Sequence, residues 1–81
     1  MKFRDEEGIL HAVEVDWSQK MKVNEEKVKK YEEFTQIYKQ KYNRKIPVIH
    51  FFTVTKYRGK KLEGLAARHD VFVKVYVIEE I

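Results

Sequence analysis

The 81-residue sequence contains no cysteine, so disulfide bonds and thiolate metal sites are excluded. No apolar run approaches the ~20 residues that a membrane-spanning helix needs, and the N-terminus lacks the apolar stretch of a signal peptide. Proline occurs once and glycine three times, and no linker, repeat or low-complexity tract divides the chain. These absences predict one small cytoplasmic domain, residues 1–81, that does not associate with a membrane.

Charged residues are abundant instead, at 37% of the chain. Lysine and arginine number 17 against 13 acidic residues, which gives a net charge of +4 and a pI of about 9.3. A basic balance of this size permits binding to a polyanion without requiring it. With 43% hydrophobic residues the chain can fold, although a domain this short has a marginal core.

The first half of the chain reads as a β-hairpin followed by a helix. Strands at 1–5 and 9–17 flank a short turn that contains Gly8. Asn24 is a good N-cap for the helix, which should end near Asn43 because Pro47 disfavours helical conformation at the residue before it.

The second half predicts a strand, a helix and a final strand. Residues 46–54 are apolar on both faces except at His50 and Thr53, which is typical of a central parallel strand covered on both sides. Thr55 caps a helix that runs to about His69, and the last strand covers 71–78. The apolar positions of this second helix are Tyr57, Leu62, Leu65 and Ala66. The order ββαβαβ predicts an α/β fold with a mixed sheet and two helices, in two or three layers.

Two carboxylates and a lysine form the strongest candidate site. Glu14 and Asp16 point to one side of the second strand, because strand side chains two positions apart share a face. Lys27 lies within the apolar face of the first helix. The other members of that face are Val28, Tyr31, Phe34, Thr35, Tyr38 and Tyr42. An inward lysine beside two carboxylates has the components of a metal-dependent phosphodiesterase site.

Ordinary structural roles are alternatives for the same residues. Glu14 and Asp16 could lie on the solvent side of a hairpin, and Lys27 could extend its stem over apolar surface with its ammonium in water. A buried pair of Lys27 with Glu14 or with Asp16 is a third possibility. His50 is interpreted as a hydrogen-bonded core residue, and the tyrosine stripe as core. His11 and His69 have no partner at metal-ligand spacing.

Three segments together resemble a known family. Residues 13–19 carry Glu14-x-Asp16, residues 27–31 carry Lys27-x-x-x-Tyr31, and residues 46–55 form a strand ending in Val-Thr, with Arg58 following in the next helix. This pattern is similar to the C-terminal part of the replication-relaxation family of plasmid and mobile-element proteins. That part is similar to the PD-(D/E)xK nuclease fold, so the resemblance implies a restriction-endonuclease-like core.

The resemblance also implies roles for residues. Glu14 and Asp16 would bind Mg²⁺, Lys27 would replace the nuclease lysine, and Gln19 would position a water molecule or a phosphate. The family's first catalytic aspartate would precede Met1, so a core truncated at this point is not expected to cleave alone. A homodimer or a partner chain could complete the Mg²⁺ site in trans.

The second helix is the predicted nucleic-acid contact. Its N-terminal basic residues are Lys56, Arg58, Lys60 and Lys61, and a run of this kind is usually an ordinary solvated helix face. We therefore expect a homodimeric nucleic-acid-binding domain, with DNA favoured over RNA. The alternatives are a Mg²⁺-dependent nuclease completed in trans and a protein-interaction subunit that binds no nucleic acid.

Overall fold

The computed structural model describes residues 1–17 and 19–78 and shows a mixed α/β sheet in the strand order β1-β2-β3-β4. The elements are β1 (Lys2–Arg4), β2 (Leu10–Asp16), α1 (Met21–Lys41), β3 (Val48–Thr53), α2 (Lys56–Arg68) and β4 (Val73–Val77). β1 pairs antiparallel with β2, while β2, β3 and β4 run parallel to one another. The predicted fold class and the predicted ββαβαβ order are confirmed.

Both helices lie on one side of the sheet. The two β-α-β crossovers move in the same direction across the strands, and right-handed connections then place both helices on the same face. The helices contact each other, and α2 also contacts β3 and β4. The core between the helices and the sheet contains Ala12, Val28, Ile49, Phe51, Leu62, Leu65 and Val71.

The prediction that β3 is covered on both sides was wrong. Ile49 and Phe51 are fully buried beneath the helices, whereas His50 and Phe52 point to the opposite face and are half-buried. We call that opposite side of the sheet the open face. Its members, together with the residues that continue it past the strand ends, are Met1, Phe3, Asp5, His11, Val13, Val15, Trp17, Val48, His50, Phe52, Phe72, Lys74, Tyr76 and Ile78.

Several predicted boundaries differ from the structure. α1 begins at Met21 after Lys20, so Asn24 is not its N-cap but a fully buried residue within the helix. Each strand is shorter than predicted by two or three residues. Tyr57, predicted to be an apolar position of α2, is 63% exposed. Thr55 does cap α2, since its hydroxyl accepts a hydrogen bond from the backbone N–H of Arg58 at 3.1 Å.

α2 approaches β4 closely at Gly59. A Cβ atom at this position would lie 3.2 Å from Val77 Cγ2 and 3.3 Å from Val75 Cγ1, which is tighter than ordinary van der Waals contact. The missing side chain therefore sets how near the helix can pack to the strand. Neither helix, in the part of the chain that the structure describes, is long and apolar enough to cross a membrane.

Candidate functional site

The two carboxylates of β2 share one face of the strand, as predicted, and that face is turned toward the helices. Glu14 is paired in register with Phe51 and Asp16 with Thr53. The Asp16 side chain has no solvent exposure and that of Glu14 is 24% exposed. The alternative in which both residues lie on the solvent side of a hairpin is therefore wrong.

Asp16 is held by a dense set of hydrogen bonds. The Arg58 guanidinium donates two hydrogen bonds to it, from Nε to Oδ2 at 2.7 Å and from a terminal nitrogen to Oδ1 at 2.8 Å. The Thr53 hydroxyl donates to Oδ2 at 2.7 Å. Burial by itself raises the pKa of the Asp16 carboxyl, but the hydrogen bonds from Arg58, Thr53 and Asn24 outweigh burial and lower the pKa to about 2. The group is a permanent, fully paired anion at neutral pH.

Asp16 should make the stability of the domain depend on acid pH. Its folded-state pKa of about 2 lies below the unfolded value, so its contribution is complete above about pH 5 and is lost as the pH falls through 2. We expect a loss of about 2–3 kcal/mol in the free energy of unfolding over that range. Urea unfolding of the wild type and of Asp16→Asn at a series of pH values measures it, because only the difference between the two proteins reports Asp16. Parallel pH curves would contradict the assignment.

Arg58 and Gln19 fix the connection between β2 and α1. The Arg58 guanidinium also donates to the backbone carbonyl oxygen of Gln19. The Gln19 side chain donates to Asn24 Oδ1 at 2.8 Å and to the Val15 carbonyl at 3.3 Å. It also accepts from the Trp17 backbone N–H at 3.2 Å. The side-chain oxygen and nitrogen of Gln19, which was predicted to position a water molecule or a phosphate, are thus both hydrogen-bonded within the chain.

Glu14 forms a separate cluster with two residues of α1. Its Oε1 lies 3.3 Å from Lys27 Nζ, and its Oε2 accepts a hydrogen bond from the Tyr31 hydroxyl. Lys27 and Tyr31 are four positions apart and therefore share a helix face. Burial raises the pKa of Tyr31, and the bond to Glu14 raises it further. Of the two predicted lysine–carboxylate pairs, the one with Glu14 is formed.

The Glu14 cluster borders a surface cavity with a basic lining. The cavity has a volume of about 350 Å³ and is lined by Lys2, Glu14, Lys27, Lys30, Tyr31 and Phe34. The Lys27 side chain, whose ammonium pairs with Glu14, is 33% exposed. Because α1 begins at Met21 and not after the predicted N-cap Asn24, Lys27 lies in the second turn of the helix.

The donor set of this arrangement does not fit Mg²⁺. Both oxygens of Asp16 accept bonds from a guanidinium, and Glu14 is paired with an ammonium, so a divalent cation would have to displace two positive groups. Within residues 1–17 and 19–78, no three or more acidic or histidine side chains are grouped so that they could hold a metal ion. Metal binding by Glu14 and Asp16 stays a prediction that requires Arg58 to move away.

The net charge of the chain is concentrated on α2. This helix contains five basic residues and one acidic residue, and acidic and basic residues balance in the rest of the chain, so α2 accounts for the whole net charge of +4. Arg58 points inward to Asp16, whereas Lys60 and Lys61 are exposed. Lys61 Nζ lies 4.9 Å from the centre of the Tyr57 ring. The structure thus separates Arg58 from the lysines that sequence reasoning grouped with it.

Sequence reasoning missed a row of hydrogen-bonded side chains across the open face. His11 Nδ1 lies 2.8 Å from His50 Nε2, and His50 Nδ1 lies 2.8 Å from the Tyr76 hydroxyl. At the other end, His11 Nε2 is 2.8 Å from Asp5 Oδ2. His50 is hydrogen-bonded as predicted, but on the open face and not in the core. The signal in the sequence was the position of His11 and His50 within their strands, because parallel pairing of β2 and β3 brings the two side chains into contact.

Comparison with known proteins identifies no relative. No protein-family model matches the chain, and no curated protein or solved structure matches it. The function is therefore argued from the geometry described above.

Proposed function

We propose that this chain is a small nucleic-acid-binding domain of the replication-relaxation type that contacts phosphates through α2 and does not cleave alone. One observation carries the proposal: a single helix holds all of the net positive charge. Phosphate neutralisation by lysine and arginine supplies most of the affinity in binding that ignores sequence. DNA is the preferred partner class, and the domain acts as a homodimer of restriction-endonuclease-like cores.

The arrangement of α2 supports this role for particular lysines. Arg58 is hydrogen-bonded to Asp16, so we assign the phosphate contacts to the exposed lysines of the first two turns, Lys56, Lys60 and Lys61. The positive end of the helix dipole lies at the same turns and adds to the attraction of anions. The proposal that the domain does not cleave alone rests on the Arg58–Asp16 and Lys27–Glu14 pairs, which occupy both candidate metal ligands.

Charge reversal on α2 tests the proposal. With about three phosphate contacts, the affinity of the wild type for a short DNA duplex should fall about 40-fold between 50 and 200 mM salt. The double variant Lys60→Glu/Lys61→Glu should bind at least about ten times more weakly at 50 mM salt. The slope of the logarithm of its affinity against the logarithm of the salt concentration should be smaller in magnitude by about two. Fluorescence anisotropy of labelled duplex and single-stranded DNA measures both quantities.

The matched control is Lys22→Glu/Lys29→Glu, which makes the same charge change at two exposed positions of α1. We expect this control to bind DNA within about threefold of the wild type at 50 mM salt. Equal losses in the two variants would reduce the effect to overall charge and overturn the assignment to α2. An absence of binding at 50 mM salt would overturn the nucleic-acid function. Cleavage that requires Mg²⁺ and stops in Glu14→Ala would replace it with a nuclease completed in trans.

A further inference from the structure

The open face is an apolar face of a largely parallel sheet that no other element of the described chain covers. Strands β2, β3 and β4 are parallel, and parallel sheets are normally covered on both faces. Here the uncovered side exposes Phe3 (46%), Trp17 (57%), Phe72 (49%) and Ile78 (45%), together with Val15 and Tyr76. Four of these residues are aromatic, with 150–250 Å² for each full side chain, and together with the two smaller aliphatic residues they expose roughly 600 Å². That is the upper limit for the largest apolar patch of an ordinary monomer.

The polar groups of the open face are already paired with one another. Hydrogen bonds from His11 and from the backbone N–H groups of Ile9 at 3.0 Å and Glu7 at 2.9 Å lower the pKa of Asp5, so it is a carboxylate. A carboxylate only accepts, so His11 Nε2–H donates to Asp5, and the proton positions on the two rings set the directions of the His11–His50 and His50–Tyr76 hydrogen bonds. Every ring nitrogen and the phenol have a partner. Covering this face therefore leaves none of these groups unpaired, which removes the usual cost of burying them.

The row is also flat. The 2.8 Å between the nitrogens of His11 and His50, with 5.1 Å between ring centres and 18° between ring planes, describes edge-to-edge rings in nearly one plane. Phe3 lies parallel to His11, with centres 4.8 Å apart, and Phe52 to Tyr76, with centres 4.6 Å apart. These contacts fix the side chains before any partner arrives, so little side-chain entropy is lost on binding.

Charge decides which partner this face fits. Among the described residues of the open face, Lys74 is the cation and Asp5 is the anion, and they lie at opposite edges, by β4 and by β1. A nucleic acid needs several cations, and those lie on α2, on the other side of the sheet. A second copy, turned about a two-fold axis parallel to the strands, places β1 of each copy over β4 of the other. That arrangement brings the Asp5 edge of one copy to the Lys74 edge of its partner.

We infer that the open face binds a second copy of this chain, sheet against sheet, in a two-fold dimer with both helix layers on the outside. The inference specifies the surface of the homodimer included in the proposed function and is independent of nucleic-acid binding. Stable interfaces bury about 800 Å² per partner, and the six exposed residues supply most of that area. Face-to-face packing of sheets about 10 Å apart is a common way to bury such a surface.

The test compares Val15→Lys with Ile37→Lys. Val15 is 37% exposed on the open face, and Ile37 is 63% exposed on α1, so both variants add one charge at an exposed aliphatic position. Sedimentation equilibrium from 1 to 100 µM, with circular dichroism to check folding, should show a dimer for the wild type and for Ile37→Lys. Val15→Lys should raise the dimer dissociation constant at least about 30-fold.

The single tryptophan gives a second readout. Trp17 lies at the rim of the open face, so its emission should shift to shorter wavelength as wild-type concentration rises, and Val15→Lys should remove that shift. A wild type that is monomeric at 100 µM, or a dimer that tolerates Val15→Lys as well as Ile37→Lys, would overturn the inference. The DNA titration of the α2 variants is a separate experiment, so either result leaves the nucleic-acid proposal to be judged by that titration.

Discussion

Replacing Arg58 with methionine should lower the free energy of unfolding by about 3–5 kcal/mol. The substitution removes both bonds of the guanidinium to Asp16 and leaves a fully buried carboxylate without its counter-ion. At 0.05–0.15 kcal/mol per residue, the whole domain is worth about 4–12 kcal/mol, so one substitution would consume much of its stability. Urea unfolding followed by circular dichroism measures the change.

The double variant Arg58→Met/Asp16→Leu is the informative control. Replacing both members of a buried ion pair with apolar residues is often nearly neutral, so this protein should recover most of the loss. Recovery would be incomplete because Thr53 and Asn24 also bond to Asp16 and would lose a partner. A cost below about 1 kcal/mol for Arg58→Met alone would show that Asp16 does not depend on Arg58.

Phe51→Ala should also cost about 3–5 kcal/mol, whereas the adjacent Phe52→Ala should cost about 1–2 kcal/mol in the monomer. Phe51 is completely buried between β3 and the helices, and its removal leaves a cavity in the main core. Phe52 is half-buried on the open face, where its ring lies parallel to that of Tyr76.

The two phenylalanine variants form their own matched pair, because they are the same change at neighbouring positions of one strand. Unfolding should be measured at protein concentrations low enough to keep the chain monomeric, since Phe52 belongs to the proposed dimer surface. Equal costs for the two substitutions would contradict the one-sided covering of the sheet. A larger cost for Phe52 would reverse the assignment of the faces.

Element order was predictable because it is encoded locally. Gly8 marks the turn between β1 and β2, and Pro47 marks the connection between α1 and β3. Alternation of apolar residues marks β2 and β4, and Thr55 marks the start of α2. Asn24 misled the prediction of the α1 boundary because its capping preference is a local property. Its actual position, within the helix and hydrogen-bonded to Gln19, depends on the buried Asp16 network.

The contacts between strands were much less predictable. The shared face of Glu14 and Asp16 follows from alternation alone, and the Lys27–Glu14 pair was one of two that this face allowed. The Asp16–Arg58 pair depends on how β2 and β3 align and on where α2 begins, which no local pattern records. For the same reason the hydrogen bond between His11 and His50, which the parallel register brings together, was not predicted.

The row of side chains across the open face has a consequence for inheritance. Each member donates to one neighbour or accepts from the next, from Tyr76 through His50 and His11 to Asp5. When the open face is covered in the proposed dimer, exchanging either histidine alone for an apolar residue leaves the groups on both sides of it without a partner, so that change is penalised whichever histidine is replaced first. Four positions from three separate parts of the sequence are therefore expected to be inherited together in a dimeric protein.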